Sequence, residues 1–220
     1  ICLSGNFILL STEDGDLIFI DMQGGKRASV NLGDTTIMRI SDDNKQIVVA
    51  TEEGEMTVFN NDLEILNSSP PAKDDIEIVA NISPIIGGRF LVSRESLGAV
   101  IDDRPVNRLE FWHVEQGLLE LVEIPSRATC IQASGDGYYV GCFEGELLWI
   151  ERGKDPTLLT NLGYSITDLR IWEGDILASC WFYARRISPE GIEKWVFEHP
   201  GIISKILSLG QGTIALVSDK

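Results

Sequence analysis

The chain reads as an all-β protein: about five repeats of four short antiparallel strands, with an incomplete repeat at each end. Three observations predict this. Apolar, β-branched runs recur, each broken by a turn of polar residues and glycine and followed by a second apolar run. The runs return with a period near 40 residues, the length of one four-stranded repeat unit. No stretch sustains a helical pattern; the best candidate, Asp74 to Ala80, is short and β-branched.

The clearest module runs from Lys45 to Asn60. Ile47, Val48, Val49 and Ala50 suit a strand buried on both faces. Glu52-Glu53-Gly54 makes the turn, and Met56, Val58 and Phe59 resume the apolar pattern. The module recurs at Phe7–Ile20 and at Tyr138–Ile150. Anchored on the strand before the turn, the repeats begin at Ile8, Ile47, Phe90, Tyr138, Asp175 and Thr213, spaced 39, 43, 48, 37 and 38 residues apart. The long intervals flank an insertion, residues 95–107. The second repeat divides into strands at Ile37–Ile40, Ile47–Thr51, Glu55–Asn60 and Glu64–Leu66. The fourth divides at Thr129–Gln132, Tyr138–Cys142, Glu146–Ile150 and Thr157–Leu159, and the fifth at Ile166–Ile171, Ile176–Trp181, Ala184–Ile187 and Glu193–Phe197. Gly, Asn, Asp and Pro fill the connections. Ile206–Leu216 looks like Ile1–Leu10, so the chain begins and stops at the same phase, five periods apart. With a first residue other than Met, this is expected of a piece of a longer repeat protein, read here as a single domain over residues 1–220.

The 220 residues are 44% hydrophobic and 24% charged, with a net charge of −16. That charge argues against nonspecific nucleic-acid binding and against docking on an anionic membrane, and it is compatible with a basic partner. No apolar run reaches the roughly 20 residues of a membrane helix, and no leader pattern opens the chain. Cys2, Cys130, Cys142 and Cys180 form no C-x-x-C pair; Cys142 and Cys180 read as buried free thiols, a Cys130–Cys142 bridge being the alternative. Localisation is left open by this and tilts toward the cytoplasm.

These repeats resemble the β-propeller superfamily, in the WD-repeat and quinoprotein-like group, over essentially the whole chain. The Gly-His and Trp-Asp pairs of WD repeats are missing, Trp149-Ile150 being the nearest echo. Ser188 to Trp195 is similar to the turn-then-Trp motif of quinoprotein blades, once. No quinone-ligand residues match, so no cofactor is carried over. The resemblance implies that first strands line the axis and fourth strands lie outside. It also implies that strand two–three loops share a face with the loops joining one blade to the next. This gathers Glu13, Asp14, Asp16, Asp34, Glu52, Glu53, Glu55, Asp74, Asp75, Glu144 and Glu146 on one side, together with Asp102, Asp103, Arg104 and Arg108 of the insertion. That face reads either as a docking surface for a basic protein, with weak cation binding through its carboxylates a further option, or as solvated turn residues.

Other chemistry is thin. His113 and His199 are the only histidines, no G-x-S-x-G or EF-hand loop is present, and Gly24-Gly25-Lys26 and Gly87-Gly88-Arg89 lack the rest of a phosphate loop. Trp172, Trp181 and Tyr183 lie near Arg185 and Arg186, reading either as an aromatic-arginine hot spot or as filler between blades. First strands carry few polar residues, namely Arg39, Gln132, Asp168, Arg170 and Lys205, too few for an axial catalytic site. The expectation is a non-catalytic interaction scaffold with no cofactor and no metal. Its candidate contacts are Asp102, Asp103, Arg104, Trp172, Trp181 and Arg185, and it forms oligomers if the ring is open. The alternative is a propeller enzyme or small-ligand binder using the axial funnel.

Overall fold

A computed structural model describes residues 2–4, 7–33, 35–40, 45–51, 54–60, 62–69, 77–96, 106–210 and 212–219. Among these residues there is no helix. The first sheet is β1 (Cys2–Ser4), β2 (Phe7–Ser11), β3 (Asp16–Asp21) and β4 (Lys26–Asn31). The second is β5 (Thr35–Ile40), β6 (Gln46–Thr51), β7 (Met56–Asn60) and β8 (Ile65–Ser69). The third is β9 (Glu77–Ile82), β10 (Arg89–Ser96), β11 (Asn107–His113) and β12 (Gly117–Glu123). The fourth is β13 (Ala128–Ser134), β14 (Gly137–Cys142), β15 (Glu146–Glu151) and β16 (Thr157–Asn161). The fifth is β17 (Ile166–Trp172), β18 (Asp175–Cys180), β19 (Tyr183–Ile187) and β20 (Glu193–Glu198). β21 (Ile203–Gly210) and β22 (Thr213–Ser218) pair as a sixth. Neighbours within every sheet run antiparallel in chain order. Every second strand falls where the periodicity places it, and the stretch weighed as a helix enters β9.

The chain divides into two compact units, Ile1–Leu121 and Val122–Lys220, with the boundary inside β12. In the first, Leu9, Leu17, Phe19, Ile47, Val49 and Phe59 join blades one and two, while Val48, Met56, Val58, Phe90, Val92 and Trp112 join blades two and three. In the second, Cys130, Leu147, Ile166, Leu169, Ile176 and Ala178 join blades four and five. The second strands β2, β6, β10, β14 and β18 have a strand on either side. All six residues of β14 and all six of β18 are buried. Fourth strands are mostly exposed, as in β20.

Two recurring devices complete each unit. First strands reach sideways to the next blade's first strand: Thr129 Oγ1 donates to Ile166 O, and Thr167 Oγ1 to Ile203 O at 2.7 Å. Arg39 Nε donates to Ile82 O at 2.8 Å and Arg170 Nε to Ile206 O at 3.1 Å. The second device closes the strand three–four turns. The last residue of the third strand, or in blade five the residue just after it, accepts the backbone N–H two residues on, through Asp21 Oδ1, Asn60 Oδ1, His113 Nδ1 and Ser188 Oγ at 2.9–3.3 Å.

Candidate functional site

The turns between second and third strands present side chains from the ends of rigid, buried strands. In blade one, Gly15 N donates to Thr12 O and Thr12 N to Asp16 O, leaving Glu13 and Asp14 exposed. Blade four repeats the tight turn, with Gly145 N on Cys142 O and Phe143-Glu144 exposed. Gly15 and Gly145 have φ of 80° and 93°, a region that favours glycine. They also let the loop into the next blade pass close: a Cβ on Gly15 would stand 2.7 Å from Gly33 Cα, and one on Gly145 2.9 Å from Gly163 N.

Blade five departs from this. Cys180 pairs with Tyr183, so only Trp181 and Phe182 form the turn. Trp181 has φ of 54°, the left-handed conformation that two-residue hairpins normally give to Asn, Asp or Gly. The turn is tethered on both carbonyls: Ile203 N donates to Trp181 O at 2.8 Å and His199 N to Phe182 O at 2.7 Å. Trp181 is 48% exposed and Tyr164, from the loop joining blades four and five, is 38% exposed. Four rings lie in succession: Tyr183–Tyr164 at 5.7 Å between centroids, Tyr164–Trp181 at 5.2 Å and Trp181–Phe182 at 5.6 Å. Arg185 stands over Tyr183 at 5.3 Å and is paired to Glu193 at 2.6 Å, while Arg127 stands over Phe143 at 4.2 Å.

The sequence-predicted residues part company here. Trp181 and Arg185 belong to this surface, but Trp172 pairs with Asp175 at the other end of β18, about 20 Å away at the usual rise of a strand. Arg186 covers the Trp172 ring at 4.5 Å. Asp175, buried beside it, accepts from Lys194 Nζ at 2.6 Å and Arg186 Nε at 2.5 Å. The hydrogen bond from Lys194 outweighs burial and, with Arg186, holds the Asp175 carboxyl below its ordinary range. Asp102, Asp103 and Arg104 lie outside the described residues, as do Asp34, Glu52, Glu53, Asp74 and Asp75.

Arg108 is a correction. Expected on the acidic loop face, it is 2% exposed and lies on β11. Its guanidinium meets Glu77 at 2.6 Å and 3.1 Å and Glu110 at 3.2 Å. Glu110 also accepts Arg94 Nε at 3.0 Å and Trp112 Nε1 at 2.9 Å. Arg94 reaches Gly54 O at 2.7 Å and Ser69 Oγ at 3.2 Å, tying blade three to blade two. A guanidinium can be buried on these terms because carboxylates meet it in both directions.

The remaining candidates are structural. His113 caps its turn and His199 Nδ1 accepts Gly201 N at 3.0 Å. Cys130, Cys142 and Cys180 are buried and free, so the Cys130–Cys142 bridge does not form. Burial pushes the Cys142 thiol up to about 12, which leaves it unreactive. Among the described residues no group of three or more His, Cys, Asp or Glu side chains could hold a metal. Of the polar first-strand residues, Arg39 and Arg170 clasp the next blade. Asp168 Oδ2 accepts Ile206 N at 2.9 Å, and Gln132 Nε2 donates to Ala133 O at 3.0 Å.

No protein-family model and no curated protein matches the chain. Solved structures do. The computationally designed Ika8 protein superposes with a TM-score of 0.78 at 13% identity, over 99% of this chain and 69% of that one. The C-terminal WD40 domain of Sif2 gives 0.75 at 14% identity, over 96% and 63%. Dihydro-heme d1 dehydrogenase NirN, in complex with DHE, gives 0.70 at 14% identity, over 90% and 45%. The chain thus spans less than two thirds of the latter two. Four-stranded antiparallel blades in chain order and these likenesses establish the β-propeller fold.

Proposed function

We propose that this chain is a non-catalytic protein-interaction scaffold whose second unit docks a partner on the Tyr164–Trp181–Phe182 surface, with Arg185 behind it. The observation that carries this reading is Trp181: a large ring held exposed, in a left-handed conformation, on a turn tethered at both carbonyls. Exposed aromatic side chains on rigid supports are the usual anchors of protein interfaces. The acidic turn of the first unit, Glu13-Asp14, is a separate candidate surface for a basic partner; Asp102, Asp103 and Arg104 are candidates for the same role. The axial alternative is disfavoured by first-strand polar groups already committed to neighbouring backbone.

The test is a photo-crosslinking side chain placed at Tyr164 or, as a control, at Lys154 in the exposed strand three–four turn of blade four, in the native cell. Discrete crosslinked species from position 164 and none from 154 are expected. Equal products from both, or none from 164, would overturn the reading.

A further inference from the structure

The segment from His199 to Ile203 carries the chain from β20 into β21 and holds the turn that presents Trp181. Every backbone N–H in it is committed. His199 N donates to Phe182 O and Ile203 N to Trp181 O. Ile202 N donates to Asp219 Oδ1 at 2.7 Å, and Pro200 has no N–H to place. Gly201 N, on a buried residue, donates to His199 Nδ1 at 3.0 Å. An amide N–H can only donate, so Nδ1 is the acceptor and the ring is neutral, with its proton on Nε2. The loop joining blades four and five makes the same bond without a titrating group: Asn161 Oδ1 accepts Gly163 N at 2.8 Å. The carbonyl of Gly201 also lies within reach, 3.3 Å from His199 Nδ1. A proton on Nδ1 therefore sets donor against donor at Gly201 N and leaves Gly201 O as the acceptor.

We infer that His199 is a pH-sensitive latch on the aromatic surface. Its protonation in mild acid breaks the bond from Gly201 N, loosens the Ile203 tether on Trp181 and releases a docked partner; the inference rests on the interaction reading above. Imidazole is the ordinary side chain that changes charge between about pH 5 and 8, and carboxylates titrate below that range. Of the charged groups on the strands around the ring, Arg185 pairs with Glu193, while Arg186 and Lys194 hold Asp175. Glu198 precedes the ring in sequence, Lys205 is exposed on β21, and Asp219 is engaged with Ile202. Among the described residues none of these makes an ion pair with His199, whose ring meets Gly201 and, at 6.5 Å between centroids, Phe197. With no carboxylate paired to the ring, an added proton acts first on the Gly201 bond.

The test is amide hydrogen exchange, read by NMR on the whole chain at about pH 7.5 and 5.5 and corrected for the intrinsic pH dependence of exchange. Protection of the Ile203 N–H should fall about tenfold at the lower pH, the scale of one net hydrogen bond. His199→Asn copies the Asn161 bond and should keep that protection at both values. His113→Asn, at the other histidine, should behave as the parent chain does. Protection that does not change with pH overturns the inference. So does an equal fall in His199→Asn, which would assign the effect to Asp219 or Glu198. If His199→Asn does not fold, the parent chain decides: the Trp181 indole N–H must shift along the His199 ring titration, and an indole that stays still overturns the inference. These readings need no partner, whereas crosslinking at position 164 reports the partner itself. Failure of the latch and failure of the docking surface are therefore told apart.

Discussion

Blades one and four build the same turn between their second and third strands, closed by the same glycine bond, yet blade one exposes Glu13-Asp14 and blade four exposes Phe143-Glu144. Blade five drops the glycine and puts Trp181-Phe182 there. The contrast extends to the whole units. Residues 1–121 carry nine basic and 21 acidic side chains, a formal −12, against nine and 13, a formal −4, in residues 122–220. In the first unit charge is found at both extremes, in the exposed turn and in the buried group Glu77, Arg94, Arg108 and Glu110. In the second, first-strand hydroxyls clasp the blades, the tightest ion pairs sit along β18–β20, and rings occupy the turns. One backbone plan therefore supports two kinds of surface, because turn geometry is set by backbone bonds and leaves the outward side chains free to vary.

The largest expected effect tests the buried charges. Glu77→Ala leaves Arg108 buried without its bidentate carboxylate and should cost about 3–5 kcal/mol in urea unfolding. Replacing both residues with apolar side chains of similar volume should cost clearly less. A loss below about 1 kcal/mol for Glu77→Ala would mean the group is better solvated than its burial implies.

Close packing should decide the second unit. A Cβ on Gly141 would stand 2.6 Å from Ile166 Cγ2 and 2.7 Å from Cys130 Sγ. Gly141→Ala should therefore cost about 1–3 kcal/mol, and adding Cys130→Ala should recover part of it by removing the sulfur. Indifference to Gly141→Ala would show that the seam between blades four and five is loosely packed.

Asp175 gives a pH signature. Its folded pKa lies below the unfolded value, so its contribution is complete above about pH 4 and is lost as pH falls through the folded value. Asp175→Asn should be destabilised at neutral pH and should approach the parent protein in acid. A gap that stays constant with pH would assign the loss to packing instead.

The smallest effect is expected at Trp181→Gly. Relief of the left-handed conformation offsets the added freedom of the unfolded chain, so stability should move by no more than about 1 kcal/mol. A larger loss would make the ring a packing element, and the comparison between acidic and aromatic turns would lose its functional meaning.

Strand positions were legible because an apolar run ending in a tight turn is a local signal. Thr12-Glu13-Asp14-Gly15 and Thr51-Glu52-Glu53-Gly54 announce themselves without reference to distant residues. Arg108 was not legible. It follows the polar run Asp102-Asp103-Arg104 and reads as part of that surface, whereas its burial depends on Glu77, 31 residues upstream. The available hint was Arg108-Leu109-Glu110-Phe111-Trp112, where opposite charges two apart share a strand face beside apolar residues. Trp172 and Trp181 were grouped by nearness in sequence, but nine positions that span a whole strand set them at opposite ends.

The caps of the strand three–four turns have a consequence for how such a chain is recognised at all. A carboxylate, an amide, an imidazole and a hydroxyl, from Asp21, Asn60, His113 and Ser188, each satisfy the same backbone N–H. The blade asks for an acceptor at that place and is indifferent to which residue brings it. Repeats built this way can share a contour while spelling it in unrelated letters, and resemblance then survives in shape after it has faded from text.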